Sequence, residues 1–326
     1  MAVAALQAWP ASAQPSSVQP GVVERERSEA PQPRHSSGVS IPSIDQPQAW
    51  QDAQGTRFVL NRVDIDGNKA LGDDVLTAPF KELLGKEVTV AQVFAATQAI
   101  TRLYDAAGYA LSLAYVPVQE VTNGVLLVRV IEGYIGEVRL DDTQTTRSVR
   151  WDEYVEKLKA SRPLKSADLE RYLLLISDLA GVRVTNFFER MTGGDPGAMR
   201  LVMTVERKAI GAHLEINNRG SKAIGPVREF MNLDLNGLLG ADERLSLFAV
   251  TALDDNELGY FGGRLDMPLD SEGTVFSVEA ARSETRPGTA ALSSIAYEAD
   301  GWTGSATFTH AFIRSLRENL YGSIGG

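Results

Sequence analysis

The chain of 326 residues contains no cysteine, which excludes disulfide frameworks, thiolate metal sites and cysteine nucleophiles. Its three histidines, His35, His213 and His310, lie far apart without a His-x-x-x-His pair or a carboxylate at ligand spacing, so no metal site is expected. Neither a nucleophile elbow nor a phosphate-cradling glycine loop occurs, so no catalytic residue, nucleotide or other cofactor is expected. Lys and Arg number 32 against 42 Asp and Glu, a net charge of -10, and no basic stripe offers itself to phosphates, which argues against a nucleic-acid partner. After the first few positions no apolar run reaches about 18 residues, so any membrane span has to be built from strands rather than a helix.

The N-terminus, residues 1–13, is small and apolar and closes with Ala11-Ser12-Ala13, the pattern of a secretory signal cleaved after Ala13. It lacks the Lys/Arg start of such signals and therefore reads as a partial signal peptide, with a disordered Ala-rich tail as the alternative. Residues 14–55 are rich in Pro, Ser and Gln and poor in large apolar side chains, so they read as a linker that cannot offset its own ordering entropy. Inside it, Val22 to Ala30 carries helix formers with alternating Glu24, Arg25, Glu26 and Arg27.

Residues 56–134 read as a small α+β unit. Strand-forming Phe58 to Ile65 leads through Asp66-Gly67-Asn68 into a helix over Asp73 to Leu84. A second helix starts at Thr89, with Gln92 three positions on at capping-box spacing and Gly108 at its end. Strands at Leu111 to Pro117 and Val125 to Ile131 flank the turn-forming pair Asn123-Gly124. Residues 135–207 repeat the order: strand Ile135 to Leu140, helices near Trp151 to Leu158 and from Ser166 to Gly181, then strands Val182 to Glu189 and Met199 to Glu206. The period, roughly 75 residues, is longer than solenoid repeats, which gives two beads rather than a stack.

Residues 208–326 abandon helical spacing for period-two segments, such as Ala212, Leu214 and Ile216 against His213, Glu215 and Asn217. About seven strands are expected, with short turns at 240–243, 270–273 and 314–318 alternating with longer loops. A soluble β-sandwich produces the same alternation. The short turns confined to one side, and a face of Asn, Asp, Glu, Arg and Ser suited to a wet lumen, favour a membrane barrel. The acidic tip Asp254-Asp255-Asn256-Glu257 reads as a solvated loop rather than a calcium site.

Two stretches carry a resemblance. Ile100-Thr101-Arg102-Leu103-Tyr104-Asp105-Ala106-Ala107-Gly108-Tyr109, followed by Val128 to Gly136 (Val-Arg-Val-Ile-Glu-Gly-Tyr-Ile-Gly), resembles the first polypeptide-transport-associated (POTRA) domain of two-partner secretion transporters, the TpsB family. Asn217-Asn218-Arg219-Gly220-Ser221 with Gly225 is similar to that family's first barrel strand and loop, and Asn319-Leu320-Tyr321 to its sixth-to-seventh strand junction. The resemblance implies two POTRA domains of βααββ order and the first seven or so strands of a transmembrane β-barrel, an α+β region followed by an all-β one. It implies a pore-plugging helix at Val22 to Ala30, an outer-membrane location with periplasmic POTRA domains, contact with outer-membrane lipid, and export of a cognate secreted exoprotein of haemolysin or adhesin type. Family barrels have sixteen strands and an Arg-Gly-Tyr/Phe loop that this sequence does not contain. Seven strands alone leave edges that lipid cannot satisfy, so transport by this stretch unaided is not expected.

Function is expected at open sheet edges, where an unfolded client adds a strand through main-chain hydrogen bonds. The candidate docking residues are Leu111, Leu113 and Tyr115 in the first unit and Val182, Val184, Phe187 and Phe188 in the second. Packing in the cores is the competing role for all seven. An outer-membrane assembly factor and a soluble periplasmic binding module are the alternative functions.

Overall fold

The computed structural model describes residues 56–326, apart from 142–147, 192, 223, 254–256, 289–293 and 295–297. The signal, linker and plug-helix expectations, and the core of the acidic loop tip, lie outside the described residues.

The first unit opens with β1 (Arg57–Leu60), β2 (Arg62–Asp66), the single-turn helix α1 (Asp73–Leu76) and β3 (Lys86–Thr89). It continues with α2 (Val90–Ala106), β4 (Leu113–Tyr115) and β5 (Val125–Ile131). The single strand expected over Phe58 to Ile65 is two. At Asn61 the chain changes partner, because the amides of Asn61 and Arg62 both donate to the Gly124 carbonyl, and β1 then pairs with β3 while β2 runs parallel to β5. The helix expected to reach Leu84 stops at Leu76. Pro79 permits only a short 3-10 turn over Ala78–Phe80, since its ring cannot continue an α-helix, and β3 follows, a strand the sequence reading missed. α2 begins on the expected cap: the Thr89 side chain accepts from the Gln92 amide and the Gln92 side chain accepts from the Thr89 amide. Its inner face delivers Val93, Ile100 and Tyr104 to a core with Leu60, Phe80, Val88, Leu126 and Val128. Glu132 fastens this core from below. One carboxylate oxygen accepts the amides of Lys69 and Ala70, each at 2.7 Å, and the Tyr104 hydroxyl at 2.8 Å. Burial, with this carboxylate next, raises the tyrosine pKa above its ordinary value.

The second unit has β6 (Tyr134–Leu140), α3 (Trp151–Ala160), α4 (Ser166–Asp178), β7 (Val182–Arg190) and β8 (Ala198–Arg207). The two three-stranded sheets share one topology, β2-β5-β4 and β6-β8-β7, in which the last strand lies in the middle, parallel to the first and antiparallel to the third. The sequence repeat is therefore a structural repeat. The second core collects Trp151, Tyr154 and Leu158 from α3, Leu169, Leu173 and Ile176 from α4, and Val182, Val184 and Phe188 from β7. It also contains Ala311, which belongs to a strand of the next sheet.

That sheet is a seven-stranded antiparallel meander in chain order: β9 (Ile210–Asn217), β10 (Arg228–Asn236), β11 (Arg244–Ala252), β12 (Leu258–Pro268), β13 (Thr274–Thr285), β14 (Ala299–Arg314) and β15 (Asn319–Gly325). Cross-strand register separates two faces. Asn232 lies opposite Phe248, Asp234 opposite Ser246 and Arg264 opposite Glu279 on one face, whereas Leu233 opposite Leu247, Leu265 opposite Val278 and Phe276 opposite Phe308 form the other. The first face is laced by polar contacts, Ser246 to Asp234 at 2.6 Å and Arg264 to Asp266 at 2.7 Å among them. The second leaves Leu214, Met231, Leu247, Phe261, Phe308 and Ile324 exposed, an apolar band along one face of the sheet.

Thr89→Ala removes the side-chain half of the α2 cap, leaving the residue-89 amide to donate to Gln92, and is expected to cost about 1 kcal/mol. Hydrogen–deuterium exchange should then quicken about fivefold in the first turn of α2. Unchanged exchange there would show that packing alone sets that terminus.

Candidate functional site

β7 and β4 are edge strands, and the seven candidate docking residues divide between them without meeting. At the first edge Leu111 precedes β4 and turns into the second unit's core, where Gly133 makes room for it: a Cβ on Gly133 would sit 2.4 Å from the Leu111 carbonyl oxygen. Leu113 and Tyr115 are half-buried in a strand of only three residues. The amide of Ala114 between them donates to Thr101 Oγ1 of α2 at 3.0 Å, so this edge is already occupied by its own helix.

The second edge is different. β7 is nine residues long; Val182, Val184 and Phe188 point into the core and Phe187 points out, 42% exposed, opposite Val202 of β8. The Gly181 carbonyl accepts from the Lys208 amide, which fixes the alternation of the ladder. Odd-numbered residues of β7 therefore bond to β8, and the N–H and C=O groups of Val184, Asn186 and Phe188 point away from the sheet. Among the described residues, of these outward amides only that of Val182 has a backbone partner, the Leu179 carbonyl.

Sequence reading missed what holds this edge in place, because the partners are distant in the chain. Each short turn of the large sheet is gripped by the second unit. Between β10 and β11, Asp242 is fully buried and meets Arg207, Ser148 and Arg150. Between β12 and β13, Glu272 meets Lys157 at 2.6 Å and the Tyr172 hydroxyl at 3.2 Å, while Arg171 donates to the carbonyls of Glu272 at 2.9 Å and Ala311 at 3.0 Å. At the end of β14, Arg314 forms a two-pronged pair with Asp178, at 2.7 and 2.9 Å, with only 3% of its side chain exposed, and the Leu316 amide donates to Glu170. Gly273 (φ +92°) closes the middle turn against α4, where a Cβ would lie 2.7 Å from Leu175 and 2.9 Å from Ala311.

These grips are unequal. The Lys157–Glu272 pair is about half in solvent and is worth at most about 1 kcal/mol. Burial opposes ionisation of Glu272, but hydrogen bonds from Lys157 and Tyr172 outweigh it and hold the carboxyl below its ordinary value, so that contribution disappears only in acid beneath the usual carboxylate range. Asp242 and Arg314 are the groups whose burial makes pairing obligatory.

Residues 58–133 match the profile described as POTRA domain, ShlB-type. The heme/hemopexin transporter protein HuxB of Haemophilus influenzae is 25% identical over 248 residues, 73% of this chain and 42% of the relative; in strain 86-028NP the match is 25% over 260 residues, 77% and 44%. The chain thus spans less than half the length of these curated relatives. CdiB from Escherichia coli superposes with a TM-score of 0.62 at 17% identity, covering 86% of this chain and 52% of that one. CdiB from Acinetobacter baumannii gives 0.54 at 12%, covering 94% and 59%. The chain thus carries a POTRA domain of ShlB type and shares the fold of the CdiB proteins over the part they cover. Its seven-stranded sheet corresponds to a stretch of the barrel in the CdiB fold, and the proteins it resembles are transporters rather than enzymes. Among the described residues no cluster of His, Asp and Glu is arranged to hold a metal ion.

The two POTRA domains meet at a polar hinge. Leu164 donates its amide to the Gly133 carbonyl, the Arg162 guanidinium lies 3.4 Å over the Tyr134 ring, and Asp195 accepts from the Tyr134 hydroxyl at 3.0 Å and from Arg162 at 3.3 Å. The Gly197 amide, then the Tyr134 hydroxyl, hold the Asp195 carboxyl below its ordinary pKa. At the opposite end, the second POTRA domain and the polar face of the barrel sheet enclose a cavity of about 540 Å³. Leu175, Leu179 and Ala180 line one side, and Arg264, Asp266 and Thr309 the other.

Asp178→Asn leaves the buried Arg314 guanidinium without its carboxylate and is expected to destabilise the POTRA–barrel contact by roughly 3 kcal/mol, the low end for breaking a buried pair. Thermal unfolding of the protein in detergent should show the loss, and Arg314→Met added to Asp178→Asn should recover part of it. Additive losses would show that the two side chains are not energetically coupled.

Proposed function

We propose that this protein sits in the outer membrane with its POTRA domains in the periplasm, captures a secreted exoprotein while it is unfolded, and passes it through the barrel. The observation that carries this reading is the free edge of β7, which runs from the POTRA–POTRA hinge to the cavity at the barrel mouth. An extended client can add a strand there. Each hydrogen bond is worth about 1 kcal/mol net, and ordering a client residue costs about as much, so the ladder alone does not hold. Burying Phe187 against an apolar client side chain contributes a further 1.5–3 kcal/mol or so and supplies selection for an alternating apolar segment.

The sheet supports the membrane half of the reading. β10 to β14 have 9, 9, 11, 12 and 16 residues, against the roughly 9–11 needed by a tilted strand to cross a bilayer, and their outward faces carry the exposed apolar band. The haemolysin- or adhesin-type nature of the client follows from the resemblance. No nucleotide is needed if folding of the client outside biases its movement.

Asn186→Pro removes an outward amide of β7 without touching the ladder to β8. In the full-length protein it should lower secretion of the exoprotein at least tenfold while the amount of transporter in the outer membrane stays unchanged. Phe187→Asp, which alters only the outward face, should do the same. Normal secretion by both variants would contradict docking on this edge.

A further inference from the structure

The turn between β10 and β11 departs from the chemistry of a hairpin tip in water, where Gly, Pro, Asn, Asp and Ser are favoured. Its tip is Leu238-Leu239, set between Gly237 and Gly240, and the two leucines are 62% and 72% exposed. The polar groups of the turn face the other way. Asp242 is buried against the second POTRA domain. The Glu243 carboxylate, also buried, accepts the Leu239 amide at 2.6 Å and the Ala241 amide at 3.0 Å. The Gly237 amide donates to the Glu243 carbonyl and the Gly240 amide to the Gly237 carbonyl. Amides satisfied from within and apolar side chains turned outward suit a medium that offers no hydrogen bonds.

The second POTRA domain adds to this surface. Val149, 64% exposed, stands between the two residues that bond the turn: Ser148 donates to Asp242, and Arg150 donates to the Ala241 carbonyl at 3.2 Å. The surface is also continuous with the apolar face of the barrel sheet. Leu233 opposite Leu247 and Leu235 opposite Leu245 carry that face down the hairpin, and the leucine pair extends it past the strand ends. The other two short turns repeat the device. Leu269 and Leu316 are exposed there, with their amides taken by the Thr274 carbonyl and the Glu170 carboxylate.

We infer that Leu238, Leu239 and Val149 enter the periplasmic leaflet of the outer membrane, so that the second POTRA domain rests on the lipid surface instead of hanging below it in water; the inference rests on the membrane reading above. Lipid is the occupant that the layout fits. The apolar surface runs on from the barrel wall and recurs at three successive turns, whereas a protein partner calls for one bounded patch. Shallow insertion of apolar side chains at the boundary between headgroups and acyl chains is an established way for a protein surface to hold to a membrane. The same turn therefore works in two directions: Asp242 ties it to the POTRA domain on the inside, and the leucines tie it to lipid on the outside.

Collision measurements on spin labels test this. The full-length protein, with any cysteine outside these 326 residues replaced, carries Leu239→Cys, Val149→Cys, Leu247→Cys or Glu156→Cys in separate variants. Each is labelled with a nitroxide and reconstituted in vesicles of phosphatidylethanolamine and phosphatidylglycerol. Oxygen concentrates in lipid and a nickel chelate stays in water, so the ratio of their collision rates reports immersion. The ratio at residues 239 and 149 is expected to be several-fold above that at Glu156, an exposed residue of α3, and to approach that at Leu247 on the apolar face of the sheet. A ratio at either position that matches Glu156, with a high ratio at Leu247, overturns the inference and leaves the membrane barrel intact. A low ratio at Leu247 as well overturns the membrane reading itself. Slow collision with both reagents at residue 239 shows that protein covers the turn, and overturns lipid as its occupant.

Discussion

The attachment of the second POTRA domain to the short turns of the barrel sheet is the constraint on which the other features depend. It is made mainly by two buried charges that cannot be left alone, Asp242 of a barrel turn and Arg314 at the end of β14. Each finds its partner across the boundary, Arg207 for the first and Asp178 for the second. Withdrawing either partner would strand a charge in a poorly hydrated site, so the two bodies have one stable relative position rather than a range. Ala311, a barrel residue that belongs to the POTRA core, shows how far the contact is shared. With that position fixed, the free edge of β7 ends at the mouth of the sheet's polar face.

The proposed client path calls for no bond-making step. The side chains that line it are suited to passing contacts: main-chain amides on an edge, one outward phenylalanine, then a cavity whose wall mixes Leu175 and Leu179 with Arg264 and Asp266. The proposed passage of a client requires binding of modest strength, since a client held by every hydrogen bond and a deep apolar pocket would not leave. The large sheet answers the opposite need. Its period-two pattern keeps apolar groups on one face and polar groups on the other, the separation that a barrel wall between lipid and pore requires, and every strand but the terminal ones is paired on both sides.

Much of this was legible in the residue order because it depends on neighbours in the chain. The Thr89–Gln92 cap, Asn123 and Gly124 at positive φ, Gly181 after α4, and the three short turns are all local signals with local causes. The seven strands followed from strict alternation. What escaped was governed by distance. The first helix was drawn through Pro79, and β3 was missed because a four-residue strand has too few residues to show a period. The Arg314–Asp178 pair joins residues 136 positions apart and leaves no pattern in either segment. The same holds for Leu111, whose place in the neighbouring domain's core is set by the hinge, and for Thr101, whose hydroxyl closes the β4 edge from another element.

The most direct test of the account is a distance measurement across the POTRA–barrel boundary. Because these 326 residues contain no cysteine, Phe187→Cys on β7 and Ser323→Cys on β15 can be spin-labelled specifically in the full-length protein once any cysteine outside them is replaced, and the labelled protein reconstituted in lipid nanodiscs. Double electron–electron resonance is expected to give one narrow distance distribution, which broadens when Arg314→Met is introduced. A broad or multi-peaked distribution in the unsubstituted background would contradict a fixed β7 edge at the barrel mouth.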